Sequence, residues 1–237
     1  MKRYFLISLA LLALQATAPE VEITAEPHHH LTLENKSVRV FNVEIPAHTD
    51  TLMHWHRHDY VSVNLGSAEI INAVKDKPPV TVKLQDGDTR FSLAAFAHVV
   101  RGLGDQPFRN VTIEILEDES LRHTTSPWDT KQAVKENEDR ALEILHGGTQ
   151  QIMFVKDAIR VSEFELQPGG VAPIHHQPGP YLLVAVTDLD IRSDVPRQAS
   201  VATHLKLGDS KWLPANYSHT ITNTGTHLAK FVTLEFP

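Results

Sequence analysis

Beyond residue 30 the chain is written in the period of β-strands. Residues 37–45 alternate, setting Val38, Val40, Val43 and Ile45 against Arg39, Asn42 and Glu44, and the run stops at Pro46. Shorter runs of the same kind follow at 60–65, 80–84 and 111–115. Turn-forming clusters such as Asp86-Gly87-Asp88 and Gly102-Leu103-Gly104-Asp105 separate them. Alternating side chains face opposite sides of a strand, and many short strands at regular spacing predict a sandwich or barrel. One segment, about 129–145, reads as a helix. Its apolar positions are Val134, Ala141, Leu142, Ile144 and Leu145, its start signals Ser126-Pro127-Trp128-Asp129 and its stop Gly147-Gly148. The predicted class is all-β with a short helical linker.

The pattern repeats. Shifted by 121 positions, the chain overlays itself without a gap. Ser37-Val38-Arg39-Val40 falls on Ala158-Ile159-Arg160-Val161, and Val43-Glu44-Ile45 on Phe164-Glu165-Leu166. His54 falls on His175, Tyr60 on Tyr181, Gly87-Asp88 on Gly208-Asp209, His98 on His219, and Ile113-Glu114 on Leu234-Glu235. Apolar pattern, glycines and histidines coinciding at one offset indicate a duplication. The expected organisation is a first lobe at 28–118, a linker at 119–148 and a second lobe at 149–237.

Composition narrows the chemistry. The chain has 237 residues, 41% of them apolar and 22% charged, which is normal for folded domains with a real core. The net charge of -7 disfavours nucleic acid as a partner. There is no cysteine, so disulfides, thiolate metal sites and cysteine nucleophiles are excluded together. The N-terminus reads as a secretory signal within residues 1–18: Lys2 and Arg3, an apolar run over 4–14, then Ala16-Thr17-Ala18. Cleavage after Ala16 is preferred, because Pro19 would follow a cut after Ala18; an uncleaved anchor is the alternative. A periplasmic or secreted protein is expected. No later segment is apolar enough to span a membrane.

Histidine is the unusual residue, with 15 copies. His54-Trp55-His56 places two imidazoles on one face of a strand, and His98 can join them from a distant strand because inward positions of a barrel converge. Three imidazoles make a facial nitrogen site with open positions, suited to iron, zinc, copper or nickel. The bland alternative, three core histidines, is weaker for three at this spacing than for one alone.

These residues carry a resemblance. His54-Trp55-His56 followed by Tyr60 and Gly66 resembles the first cupin motif, and Gly87 through His98 the second. The second lobe shows the latter better: Gly208, Pro214-Ala215-Asn216, His219 and Asn223. Asn216 stands where glycine is usual, and asparagine tolerates positive φ. Over residues 30–118 and 149–237 the chain resembles a two-lobed cupin, or bicupin. The resemblance implies a duplicated cupin-type β-barrel (double-stranded β-helix, jelly roll), lobes packed through sheet faces as a monomer or homodimer, and a divalent transition metal, iron foremost and Mn, Ni, Zn or Cu as alternatives. The glutamate ligand of the family is replaced by Tyr60 and by Tyr181. In the second lobe Gln177 replaces His56, so the set His175, Gln177, His219 reads as metal-poor or empty.

Other residues are less specific. Tyr60 either fills volume or handles protons, and His58 faces inward too unless a turn breaks the parity. Arg101 either binds a substrate carboxylate or is a surface arginine. His28-His29-His30 reads as a solvated extension, with covering a barrel edge as the alternative, Trp55 as packed between layers and Trp212 as core. No nucleophile elbow or phosphate-binding glycine loop is present. The function expected from these readings is a metal-dependent, dioxygenase-like enzyme on a small organic molecule. The alternatives are a non-catalytic periplasmic metal- or ligand-binding cupin, or a cupin isomerase or lyase.

Overall fold

The computed structural model describes residues 19–116, 142–156 and 159–237. The expected leader at 1–18 and most of the expected helix lie outside the described residues. Within them the chain is almost wholly strand; a 3-10 turn at Ile23–Ala25 is the one helical element. No helix among them is long and apolar enough to cross a membrane.

The first lobe contains β1 (Val21–Glu22), β2 (His29–Glu34), β3 (Val38–Ile45), β4 (His54–His56), β5 (Tyr60–Asn64), β6 (Ala68–Val74), β7 (Val80–Leu84), β8 (Thr89–Ser92), β9 (Phe96–Gly102) and β10 (Phe108–Ile115). Two five-stranded sheets form, in the orders β1-β4-β9-β6-β7 and β2-β3-β10-β5-β8. The second lobe contains β11 (Leu142–Lys156), β12 (Ile159–Gln177), β13 (Tyr181–Ala185), β14 (Leu189–Asp194), β15 (Val201–Leu205), β16 (Ser210–Leu213), β17 (Tyr217–Asn223) and β18 (Ala229–Glu235). Here β12 does the work of β3 and β4 together. It pairs with β18 up to Leu166 and with β17 from Val171 to Gln177, with a register shift between Ala172 and His175. One strand thus belongs to both layers.

The duplication holds at the level of hydrogen-bond register. His54 pairs with His98 and His175 with His219. Tyr60 pairs with Glu114 and Tyr181 with Glu235. Even the first strand repeats: His29 pairs with Val43 and Gln150 with Phe164. Asn216 has φ 60°, as its place in the turn demands, and the equivalent Ala95 has φ 66°.

The lobes pack back to back. Val61, Val63, Val111 and Ile113 form one continuous core with Leu182, Val184, Val232 and Leu234. The intervening residues of the same strands, Tyr60, Ser62, Asn110 and Thr112, face the first lobe's cavity. The apolar side of β5 and β10 therefore faces the other lobe, and the more polar side lines the pocket. Strands covered on both faces read as nearly continuous apolar runs, which is what Tyr181–Ala185 shows.

Two sequence expectations change. Residues 142–145, the end of the expected helix, open β11 instead. The spacing of Leu142, Ile144 and Leu145 suits either period over so short a stretch, and pairing with β12 decides it. The lobes also reach further than 28 and 149, because β1 pairs with β4 from Val21 and β11 pairs with β12 from His146.

Candidate metal centre

Strand pairing builds the site. β4 runs antiparallel to β9 with His54 directly opposite His98, and His56, two residues on, shares their face. All three are buried, and a nitrogen from each lies within 4.8 Å of the others. His54 Nε2 is 3.0 Å from His98 Nε2, and His56 Nε2 is 3.1 Å from the same atom. Two nitrogens at right angles on a metal about 2.1 Å away stand about 3.0 Å apart, so the spacing is that of cis ligands.

The outer hydrogen bonds decide which nitrogens carry protons. His54 donates Nδ1–H to the Leu52 carbonyl at 2.9 Å, and His98 donates Nδ1–H to Asn72 Oδ1 at 2.8 Å. Each neutral ring then presents a bare Nε2, and the two lone pairs face each other. A neutral hydrogen bond cannot join them; a cation between them can. His56 Nδ1 is buried without a partner. Its ring is held by stacking between Tyr60, at 4.2 Å, and Phe96, at 5.4 Å, both inclined by 22°.

Electrostatics agree. Burial, and then the field of His29, lowers His54 to a pKa of about 4. Burial also pushes His98 well below its ordinary value, and burial with the field of His98 lowers His56 as well. All three are neutral at pH 7, the form in which imidazole ligates. The cluster therefore fits a divalent transition metal through three imidazole nitrogens.

A cavity of about 180 Å3 opens beside it, lined by His29, His56, Tyr60, Asn72, Arg90 and His98 among others. A water occupies about 30 Å3 of liquid, so the space suits a ligand of a few non-hydrogen atoms.

The remaining expected site residues are placed as follows. Tyr60 lines the cavity and stacks on His56; burial raises its pKa against a hydrogen bond to Ser92. His58 is in the bend after β4, away from the cavity, near enough to Glu114 to act on its charge. The bend breaks the parity that would have turned it inward. Arg101 points out of the barrel and pairs with Asp50 at 2.7 Å; Arg90 is the arginine that lines the cavity. Trp55 does not pack between layers: it donates Nε1–H to Glu20, with Arg57 stacked 4.2 Å from its ring. Trp212 packs against Phe236 on the shared core.

The second lobe keeps the frame but not the donors. His175 Nδ1 bonds the Pro173 carbonyl at 2.9 Å, and His219 Nδ1 bonds Ser193 Oγ at 2.7 Å. The two rings are 4.5 Å apart. Gln177 fills the place of His56, and both its Oε1 and His219 Nε2 are buried without partners. Tyr181 and Tyr217 bond each other through their hydroxyls at 3.0 Å. His176 faces away, bonding Ser218 at 3.3 Å.

Two residues at the first site, Asn72 and Glu26, were not singled out in the sequence. Asn72 gives no motif signal. Glu26 precedes the His28-His29-His30 tract that was read as a solvated extension, yet Glu26 is buried and His29 lines the cavity. One signal was available: the shift of 121 places Gly147 and Gln150 at their positions, so both are specific to the lobe with three histidines.

No protein-family model matches the chain, and no curated protein matches it significantly. Solved structures do. The oxalate decarboxylase of Lactobacillus farciminis, in its formate complex, aligns at a TM-score of 0.61 over 91% of this chain and 85% of its own, with 14% identity. That of Bacillus subtilis at pH 4.6 aligns at 0.59 over 84% and 68%, with 13% identity. Another structure of that enzyme, described for its Mn(II) centres, aligns at 0.59 over 90% and 76%, with 12% identity. At such identities the likeness concerns the fold, and the fold is a duplicated cupin-type β-barrel.

Proposed function

We propose that the first lobe holds one divalent transition metal on His54, His56 and His98 and acts there on a small organic molecule, in the manner of a cupin metalloenzyme. The observation that carries this reading is the pair of bare Nε2 atoms 3.0 Å apart, fixed by their outer hydrogen bonds. The metal would polarise a bound oxygen and, if it is iron, activate dioxygen. The chain's own residues do the rest. Leu52 and Asn72 hold two ligands in one tautomer, Tyr60 and Phe96 clamp the third, and the cavity admits only a small molecule.

Dioxygenase-like chemistry with iron is the reading that the cupin resemblance implies for a three-histidine site. A lyase or decarboxylase reaction with manganese is the second reading, and the fold neighbours favour it: they are oxalate decarboxylases, one of them described for its Mn(II) centres. Export by the leader at 1–18 belongs to the same proposal, and N-terminal sequencing of periplasmic material tests it.

Metal content by mass spectrometry is the first test, on the wild type, His54→Ala and His175→Ala. About one metal per chain, lost in His54→Ala and kept in His175→Ala, is expected. Absence of metal after anaerobic loading with Fe(II), Mn(II), Ni(II) and Zn(II) overturns the reading. Oxygen uptake against carbon dioxide release, measured with small oxo- and hydroxy-acids and diketones, then separates the two reaction classes.

A further inference from the structure

The carbonyl that orients His54 belongs to a loop. β3 ends at Ile45 and β4 begins at His54, so Leu52, whose carbonyl accepts the His54 Nδ1–H at 2.9 Å, lies outside both strands. The Leu52 side chain is exposed, so packing does little to fix the residue. Its neighbours are tied through their backbones: the Thr51 N–H to the Val100 carbonyl and the Met53 carbonyl to the Val21 N–H, each at 2.9 Å. The Leu52 N–H goes to a side chain instead, donating to Glu26 Oε1 at 3.2 Å.

Glu26 is itself held firmly. It is 1% exposed. His28 Nδ1 donates to its Oε1 at 3.0 Å, and the His28 N–H and His29 Nδ1 donate to its Oε2 at 2.8 and 2.6 Å. Burial alone would raise its pKa, but the bonds from His29 and His28 prevail and lower it to about 2. An ionised carboxylate is acceptor only, and four donors on two oxygens leave it no freedom to turn. Glu26 is not part of the set that converges within 4.8 Å. The second lobe provides the comparison. There Gly147 stands at the position of Glu26 and Pro173 at that of Leu52, so the carboxylate and the N–H it would accept are missing together. His175 Nδ1 still bonds the Pro173 carbonyl at 2.9 Å. In that lobe, however, β12 runs unbroken from Ile159 to Gln177, and proline fixes its own φ. The strand holds the carbonyl there; in the first lobe, where the strand is interrupted, a side chain takes over.

We propose that Glu26 is a positioning residue of the metal centre: by holding the Leu52 N–H it fixes the Leu52 carbonyl, which sets the tautomer and tilt of His54. The Leu52–Met53 peptide is bracketed, with Glu26 on the N–H before it and Val21 on the carbonyl after it. Both holds come from the N-terminal segment, which thereby becomes part of the site. Without Glu26 the carbonyl is free to swing away from His54 Nδ1, and the ring loses the bond that keeps Nε2 bare and facing His98. This inference rests on the proposed metal site.

The test compares the wild type, Glu26→Ala and Glu26→Gln, each checked for folding by its melting curve. Zn(II) affinity is measured by competition with a chromophoric chelator. Exchange of the histidine Nδ1–H protons with solvent is followed by NMR on Zn(II)-loaded protein isotopically labelled at histidine. Glu26→Ala is expected to lower Zn(II) affinity at least about tenfold, the lower end of the cost of disturbing an outer partner. It should also speed exchange of the His54 Nδ1–H at least about tenfold, while the His98 Nδ1–H, held by Asn72, stays within about threefold of wild type. Glu26→Gln keeps an oxygen for the Leu52 N–H and should fall between. Unchanged Zn(II) affinity in Glu26→Ala overturns the inference. So does equal acceleration of the His54 and His98 protons, which is the mark of general loosening. Should Glu26→Ala fail to fold, Glu26→Gln decides by the same two criteria. A wild type that binds no Zn(II) removes the metal reading itself, and exchange in the metal-free protein then still decides whether Glu26 holds His54. A wild type that binds Zn(II) no better than Glu26→Ala removes only the inference about Glu26.

Discussion

Asn72 accepts the Nδ1–H of His98 at 2.8 Å, from a strand that neighbours β9 in the sheet. That one bond fixes both the tautomer and the tilt of a buried ring. The second lobe keeps the position but uses Ser193 against His219. Asn72→Leu should therefore lower metal affinity about 10–100-fold, the usual cost of removing an outer partner of a ligating histidine. Asn72→Ser should retain most of it, as the other lobe shows a hydroxyl can serve. Competition against a chromophoric chelator measures both. Equal affinity in Asn72→Leu would mean that the ring is positioned by packing alone.

Acid should destabilise the metal-free protein in a defined window. Burial holds His54 at about 4 in the folded state, and burial with the field of His175 does the same to His219. An unfolded histidine titrates near about 6.5, so the unfolded chain takes up protons first as pH falls. The stability tied to these neutral rings is fully present above about pH 6.5 and is lost toward about pH 4, by up to about 3 kcal/mol for each ring. Melting temperature against pH should fall through that window, and His54→Gln should fall less. A melting temperature that rises from pH 7 to pH 5 would contradict the buried-neutral assignment.

The two lobes should unfold as one. Leu234 is fully buried in the core that both share, among Val61, Ile113 and Val184. Leu234→Ala should cost about 2–5 kcal/mol and lower a single calorimetric transition. Two separate transitions, only one of them shifted, would show that the shared core does not couple the lobes.

Much of this was legible in the sequence because the duplication acts as an internal alignment. The 121-residue shift maps His54 and His98 onto His175 and His219, two pairs that the structure sets opposite each other in the same register, and strand alternation places His54 and His56 on one face. What alternation cannot say is which face is the pocket. Val111 and Ile113 look like barrel interior but face the other lobe, while Asn110 and Thr112 line the cavity. His29 was missed for a related reason. A strand so close to a processed-looking leader reads as an extension until its pairing with β3 is seen, and only that pairing carries Glu26 beneath the site. Arg101 shares the parity of Val99, not of His98, which sends it outward to Asp50, as the surface-arginine reading has it.

Tyr60 stands where the cupin resemblance implies a glutamate, and its contact with His56 is through a ring face. It stacks on His56 at 4.2 Å and bonds Ser92 through its hydroxyl. Tyr60→Phe should keep metal affinity within about threefold, since the stacking surface remains. Tyr60→Ala should lose more, because His56 Nδ1 has no hydrogen bond to hold the ring in its place. Isothermal titration with Mn(II) distinguishes them. A large loss in Tyr60→Phe would instead make the phenol oxygen a ligand.

The second lobe offers the converse experiment. His175 and His219 already stand with their rings 4.5 Å apart and their Nδ1 atoms bonded to Pro173 and Ser193. Gln177 is buried on the same face, where its Oε1 and His219 Nε2 both lack partners. Unsatisfied buried acceptors cost about 1–3 kcal/mol each, so a group that engages both should be welcome. Gln177→His supplies the third imidazole at the register His56 has in the first lobe. The expected outcome is a rise from about one metal per chain to about two. The new site should bind more weakly than the first, because Tyr217 replaces Phe96 and its bond to Tyr181 must adjust. Metal content of Gln177→His in a His54→Ala background isolates the effect. No uptake there would show that two imidazoles and a matching strand register do not suffice, and that the first site depends on the aromatic clamp and the Asn72 bond as much as on its donors.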